Sequence, residues 1–535
     1  MSLYYIIVIT SANQAYKHNI FRGWLMIDNS VAKNSTANLI TRMWGIVSIY
    51  LFIPLYIRFL GEEAYGLVSF FATLQATMNL LGLGLSGTLR REFATGNNDD
   101  KNRIYKYRML KSVEIVYSLI ALFIALITFL GSDYISESWL NLISLNASTV
   151  SVTISLMGIS IGIQLLTNLY HGCLLGLNRQ VLVNVYYLSW AVCKSVGSIF
   201  SIVLIAPNLI YLYSWHIICD LAYFVILRLK IGSILKRNIK VNWELKDLRN
   251  LKSIWKYSIG LLSISIISVI TRQLDKAVIS KFLLLTELGA YNLAVTLGQM
   301  STIVSSALSI TLFTNFTQLF SLNKNNELKA YFIKYNNILS IIILCMGSFI
   351  AIFSSDLMLF WTNNVSIVDI IGNTAVFVVL GTTFLSLQEL PYSFVLAHGN
   401  TKINNFMGII SLPFLIIFPY LAIVNFGLVG AGISYVMLMF LQTFIYIAII
   451  YKKYIGTNVL KWLFSNYFMP FAISMTSALI SKRIAEFITN SLYQKVAFVI
   501  ISGAITLILI FITMHRETVK KVFWAVIDKD ANTKS

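Results

Sequence analysis

Apolar runs of about 20 residues, the length that spans a ~30 Å hydrocarbon core, recur along the whole chain. They are continuous rather than alternating, which excludes a β-barrel and predicts helices. Fourteen spans can be drawn, with approximate limits 39–59, 65–89, 112–131, 149–173, 181–205, 208–230, 254–282, 289–316, 333–356, 366–389, 405–425, 427–451, 463–482 and 492–514. The expected fold is an all-α integral membrane protein.

The polar intervals then give orientation. The N-terminus, the even-numbered loops and the C-terminus, with the adjoining span ends, hold 33 of the 41 basic residues. Loops on the other side, such as Gly131–Leu145 and Ser354–Ser366, hold none. The positive-inside rule places both termini and the basic loops in the cytoplasm. A net charge of +19 would otherwise invite a nucleic-acid partner; here topology and contact with anionic lipids account for it. Composition agrees, since 57% hydrophobic residues over 535 positions exceed what a soluble core can bury. Cys173, Cys193, Cys219 and Cys345 lie in or beside apolar segments, so neither a disulfide framework nor a zinc spacing is expected.

The chain divides by pattern into a cytoplasmic N-terminal segment (1–38), an N-lobe of six spans (39–232), a basic cytoplasmic linker (233–252), a C-lobe of six spans (253–452), and two further spans with a cytoplasmic tail (453–535). The lobes echo each other. Ala64-Tyr65-Gly66-Leu67 opens span two and Ala290-Tyr291-Asn292-Leu293 opens span eight. Gly176-Leu177-Asn178-Arg179 follows span four and Gly399-Asn400-Thr401-Lys402 follows span ten. Parallel repeats of this kind are typical of alternating-access transporters.

Leu60-Gly61-Glu62-Glu63-Ala64-Tyr65-Gly66-Leu67, then Leu81-Gly82-Leu83-Gly84-Leu85 and Arg90-Arg91-Glu92, resemble the opening of polysaccharide and lipid-linked oligosaccharide flippases. Gln273-Leu274-Asp275 and Leu288-Gly289-Ala290-Tyr291 resemble the start of their second half. That superfamily also contains multidrug and toxic-compound extruders, and the O-antigen and capsule flippases are the group most like this chain. The resemblance runs from Asn34 onward and implies a two-lobed, V-shaped fold around a central cationic cavity, with two extra C-terminal helices. It implies movement of undecaprenyl-diphosphate-linked oligosaccharide from the inner to the outer leaflet of a bacterial cytoplasmic membrane. A polysaccharide polymerase and a chain-length regulator are the expected protein partners. Gly82 departs from the pattern, because many relatives carry an acid there; no ion role for that acid transfers to this chain.

Charge inside a span costs roughly 2.5–3.5 kcal/mol at the helix centre and usually marks a substrate or ion path. Span seven carries Arg272, Asp275 and Lys276, which share an arc of about 100° with Ser258, Ser265 and Ser268. Arg272 and Asp275 can pair at i,i+3, leaving Lys276 to attract a diphosphate or an acidic sugar. The stripe lines a watery cavity or, alternatively, forms an ion-pair lock between helices. In spans five and six, Lys194 lies 13 residues before Pro207 and Asp220 lies 13 after it, which puts the two at similar depth. They form either a neutralised structural pair or part of the site. His216, one turn from Asp220, is a candidate proton carrier or a packing residue. Arg42 in span one faces the cavity mouth or anchors the inner interface. Glu389, beside Ser386, Gln388 and Pro391, is a candidate coupling acid or an interfacial acid. Span four adds Gln164, Asn168 and His171.

No Gly-x4-Gly-Lys-Ser/Thr motif is present, so no cofactor is expected, and the energy source is an ion gradient (Na⁺ or H⁺), the membrane potential or the substrate gradient. Competing readings are a small-molecule extruder or lipid II flippase of the same superfamily. A membrane polymerase or glycosyltransferase is disfavoured because the outer loops are short, with only scattered acids such as Asp133, Glu137 and Asp356. Leu3–Thr10 is apolar but too short to span and lacks a basic flank; Met26 is therefore the expected natural start. N-terminal mass spectrometry of the native protein should find Met26 first, and a peptide from residues 1–20 would exclude that start.

Overall fold

The computed structural model describes residues 29–95, 99–236, 243–244, 247–248, 266, 269–270, 272–399, 402–456, 458–489 and 491–514. The expected start at Met26, the serines Ser258, Ser265 and Ser268, most of the basic linker and the tail beyond 514 lie outside these residues. The described chain is helical. In order it forms α1 (Asn29–Leu60), α2 (Glu62–Ala94), α3 (Asp100–Tyr134), α4 (Ala147–Gly176), α5 (Gln180–Leu204), α6 (Leu209–Leu235), α7 (272–282), α8 (Leu285–Ser321), α9 (Asn325–Ile352), α10 (Ser354–Thr362), α11 (Val365–Ile371), α12 (Thr374–Ser386), α13 (Glu389–Ala397), α14 (Lys402–Tyr454), α15 (Val459–Leu463), α16 (Met469–Ile488) and α17 (Leu492–Met514).

Among the described residues ten helices are long and apolar enough to cross a membrane, against fourteen spans expected from the pattern. Part of the difference is α14, one run that carries two expected spans. It bends at Gly427 (φ 57°, ψ −140°), a backbone conformation open to glycine. The expected span 254–282 is also described only in part.

The chain forms two compact units, the first from described residues within 1–55, 82–129 and 153–262, the second from those within 56–81, 130–152 and 263–535. In the first, α2, α3, α4 and α6 meet in one apolar core that includes Phe93, Met109, Val113, Tyr170, Cys173 and Leu227. Small residues allow the approach: a Cβ on Gly172 would lie 2.6 Å from the Ser86 carbonyl oxygen, and one on Gly176 2.5 Å from that of Arg90. Several cations of this unit serve the helices themselves. Lys106 donates to the Phe93 carbonyl near the end of α2 (2.9 Å), and Arg103 donates to the carbonyls of Ile234 and Leu235 ending α6 (3.3 Å each). Positive charge at carbonyl ends is where the helix dipole favours it.

In the second unit α8 and α12 are central. α8 presents wholly buried Leu288, Ala290, Tyr291, Leu293 and Ala294, and Gly298 takes Thr382 of α12 against its backbone. The last two helices pack on α9, through Cys345, Phe349 and Phe353 against Ala478, Ala485 and Val499.

The same unit holds a clasp at the starts of α2 and α8. The start of α2 meets the start of α8, where a Cβ on Gly66 would fall 2.0 Å from the Leu285 carbonyl oxygen and one on Gly289 3.2 Å from Gly66 itself. The echoed Ala-Tyr segments thus pack beside each other. Asn141 donates to the carbonyls of Lys281 (3.1 Å) and Leu283 (3.0 Å), and Lys281 donates to Ser138. Glu63, 6% exposed, accepts from the amides of Ile143 (2.6 Å), Ser144 (2.7 Å) and Leu145 (3.1 Å) and from the Ser144 hydroxyl.

Burial pushes the Glu63 carboxyl up, but these hydrogen bonds outweigh it and hold its pKa below the usual carboxylate value. A depressed folded-state pKa stabilises above the unfolded value of ~4.3, and that contribution disappears as pH falls through the folded value. Thermal unfolding of wild type and Glu63→Gln from about pH 7 down to pH 3 should show the variant less stable at pH 7 and with a shallower acid limb. Equal acid limbs would remove Glu63 from the clasp.

Candidate functional site

Two polar clusters stand inside the helices, one in each unit, and they differ in how completely their charges are matched. In the first unit Asp220 of α6 is 1% exposed. Its carboxylate accepts from Lys194 of α5 (2.9 and 3.1 Å), Trp190 Nε1 (3.0 Å), Gln164 Nε2 (3.0 Å) and Ser160 Oγ (2.5 Å). The Lys194 ammonium also sits 5.0 Å from the centre of the Trp190 ring. Equal spacing from the Pro207 turn is what places Lys194 opposite Asp220. His216 bonds Ser198 Oγ at 3.0 Å, and His171 of α4 bonds the Tyr223 hydroxyl. Arg42 is exposed on α1, in the same unit.

In the second unit a cavity of about 480 Å³ opens among α7, α8, α12, α13 and both halves of α14. α7 contributes Arg272, Gln273 and Lys276; α8 contributes Gln299, Thr302 and Ser306. Gln388 follows α12, and Tyr392 belongs to α13. α14 adds Asn404 before its bend and Tyr435, Gln442 and Tyr446 after it. Pro391 lies in the first turn of α13, where a missing N–H breaks no helical bond.

The charges of α7 pair differently from expectation. Asp275 does not hold Arg272. It accepts from the Tyr291 hydroxyl (2.7 Å) and lies 3.9 Å from Lys276, because the buried α8 tyrosine offers a donor that spacing along α7 alone cannot reveal. Lys276 also donates to the Arg272 carbonyl (2.9 Å) and approaches Gln273 Oε1 (3.5 Å). Arg272, not Lys276, is therefore the surplus cation, exposed on the cavity wall. Asp275 borders a separate small recess with Leu415, Pro419 and Leu438.

Arg272 and Lys276 thus share one cavity, whereas Lys194, Asp220, His216 and Arg42 belong to the other unit. Sequence reasoning missed the neutral wall of Gln273, Gln299, Asn404, Tyr435, Gln442 and Tyr446. A signal was there: Gln442 and Tyr446 stand one turn apart in an otherwise apolar run.

Comparison with known proteins adds three findings. The family described as "Polysaccharide biosynthesis protein" matches residues 27–320. A relative in Shigella flexneri, called "Putative O-antigen transporter", is 21% identical over 415 residues, covering 76% of this chain and 94% of its own. The fold is shared with "Lipid II flippase MurJ, inward closed conformation" (TM-score 0.65, 14% identity, 91% of this chain and 99% of the other). It is shared also with an inward-facing multidrug resistance MATE family transporter of the MOP superfamily (TM-score 0.54, 12% identity, 81% and 98%).

Removing one partner of a buried ion pair strands the other charge and typically costs about 3–5 kcal/mol. Asp220→Asn should lower unfolding stability on that scale, and adding Lys194→Met should restore part of it, as read by a double-mutant cycle of thermal unfolding. A stable Asp220→Asn protein that fails in polysaccharide export would instead assign the pair to transport.

Proposed function

Because the chain belongs to the polysaccharide biosynthesis protein family, we propose that it is a flippase carrying undecaprenyl-diphosphate-linked oligosaccharide, an O-antigen or capsule repeat unit, from the inner to the outer leaflet of the bacterial cytoplasmic membrane. The observation that carries this reading is the placement of Arg272 and Lys276 on the wall of a polar cavity in the second unit. A guanidinium kept exposed in a membrane span is costly, and binding an anion offsets that cost. Arg272 is the first contact of the diphosphate and Lys276 the second, with Lys194 and Arg42 as further candidate contacts. The polyprenyl tail stays in lipid. Transport runs by alternating access, with both termini cytoplasmic. Na⁺ or H⁺ drives it, with Glu389, Asp220 and His216 as the candidate coupling groups. The protein acts as a transporter, not an enzyme, and hands its product to a polymerase and chain-length regulator.

A second reading, a lipid II flippase, is favoured by the similarity to that fold. An extruder of cationic drugs fits less well, since the surplus charge at the cavity is positive.

Deletion of the gene separates these readings. Loss of surface polysaccharide, with undecaprenyl-linked repeat units held in the inner leaflet, is the expected outcome. Arrest of peptidoglycan synthesis would assign lipid II, and intact polymer with altered drug sensitivity would assign extrusion. In the complemented strain Arg272→Gln should reduce export about 10- to 100-fold, the worth of a hydrogen bond to a charged group.

A further inference from the structure

The cavity wall carries two kinds of chemistry at different places. Arg272 supplies positive charge on α7. Across α14 the wall is neutral, and two of its amides are incompletely bonded. Tyr446 donates its hydroxyl to Asn404 Oδ1 at 2.6 Å, yet Asn404 Nδ2 has no partner among the described residues. Gln442, one turn before Tyr446, has an Oε1 likewise without one. Both residues line the cavity. Buried amide groups left unbonded cost roughly 1–3 kcal/mol each, so the pair calls for a ligand that offers both a donor and an acceptor.

A diphosphate ionised at neutral pH has only acceptors. It can accept a hydrogen bond from Asn404 but has none to donate to Gln442. Sugar hydroxyls do both, donating to Gln442 Oε1 while accepting from Asn404 Nδ2. Turning both amides over together exchanges the roles and leaves this conclusion unchanged. Terminal amide torsions are soft, so both groups can turn to an entering ligand.

We propose that Gln442 and Asn404 form a hydroxyl-reading subsite for the first sugar of the lipid-linked substrate, separate from the anion contact at Arg272. The cavity then discriminates glycosylated from bare polyprenyl diphosphate. The inference rests on the flippase reading above, so its test carries a control for that reading.

The probes are undecaprenyl diphosphate and undecaprenyl diphosphate bearing one hexose or one N-acetylhexosamine, titrated against the full-length protein in nanodiscs. Wild type should bind at least one glycosylated probe about tenfold more tightly than the bare lipid, the worth of one or two net hydrogen bonds. Gln442→Leu and Asn404→Leu should each remove most of that preference and leave affinity for the bare lipid unchanged. Arg272→Gln should weaken all probes alike and preserve the preference. A wild type that binds bare and glycosylated lipid equally overturns the subsite, as do leucine variants that keep the preference; ordered water would then satisfy the amides. A variant that loses the bare lipid as well has lost its fold, and Gln442→Met, which keeps the side-chain volume, is then read by the same two criteria. A wild type that binds no probe defeats the flippase reading itself.

Discussion

A charged side chain inside a membrane helix must be answered by other groups of the protein, because lipid offers none. Asp220 meets that constraint in full. Four side chains from α4 and α5 converge on its carboxylate, and a carboxylate has about four lone-pair sites to give. The angles among α4, α5 and α6 therefore cannot drift without breaking several charge-assisted bonds together. The nearby His171, Tyr187, Trp190 and Tyr223 rings pack against one another around the same point, Trp190 stacked on Tyr223, so aromatic surface walls the polar centre.

Close packing is the second constraint, and it decides where helices cross. Between apolar helices in lipid the hydrophobic effect gives no net pull, so small residues that let backbones touch carry the association. Gly172 and Gly176 do this for α4 on α2, and Gly66 with Gly289 does it for α2 on α8. The Gly66 contact is framed by directional bonds: Glu63 holds the 143–145 turn and Asn141 holds the 281–283 turn. Packing alone would leave those segments free to slide; the carboxylate and the amide fix their register.

Much of this was legible in the sequence, for physical reasons that also show where legibility stopped. Apolar length gave the helices, since a span can be satisfied only by its own backbone bonds. Equal distance from a tight turn placed Lys194 opposite Asp220. A helical wheel placed Arg272 and Lys276 on one cavity wall, because two residues four apart share a face in any helix. What failed were features set by other elements. Asp275 bonds Tyr291 of α8 instead of Arg272, and nothing in α7 encodes that neighbour. The expected boundary of two spans within α14 does fall at Gly427, where non-helical backbone divides the run without a polar loop. The neutral wall of the cavity was overlooked because formal charge was weighed and amides were not, although an amide in a span faces the same demand for a partner at lower cost.

The contrast between the two clusters bears on which acid can carry a coupling proton. A coupling group must release and regain its proton or ion during each cycle, and so must have bonds it can give up. Asp220 has none to spare: Lys194 and three further donors are bonded to it in a buried site, and stranding the lysine would cost several kcal/mol. Glu389 is half-buried and follows Gln388 of the cavity wall, and no comparable set of bonds holds it among the described residues. On that criterion Glu389 is the better placed of the two candidate acids.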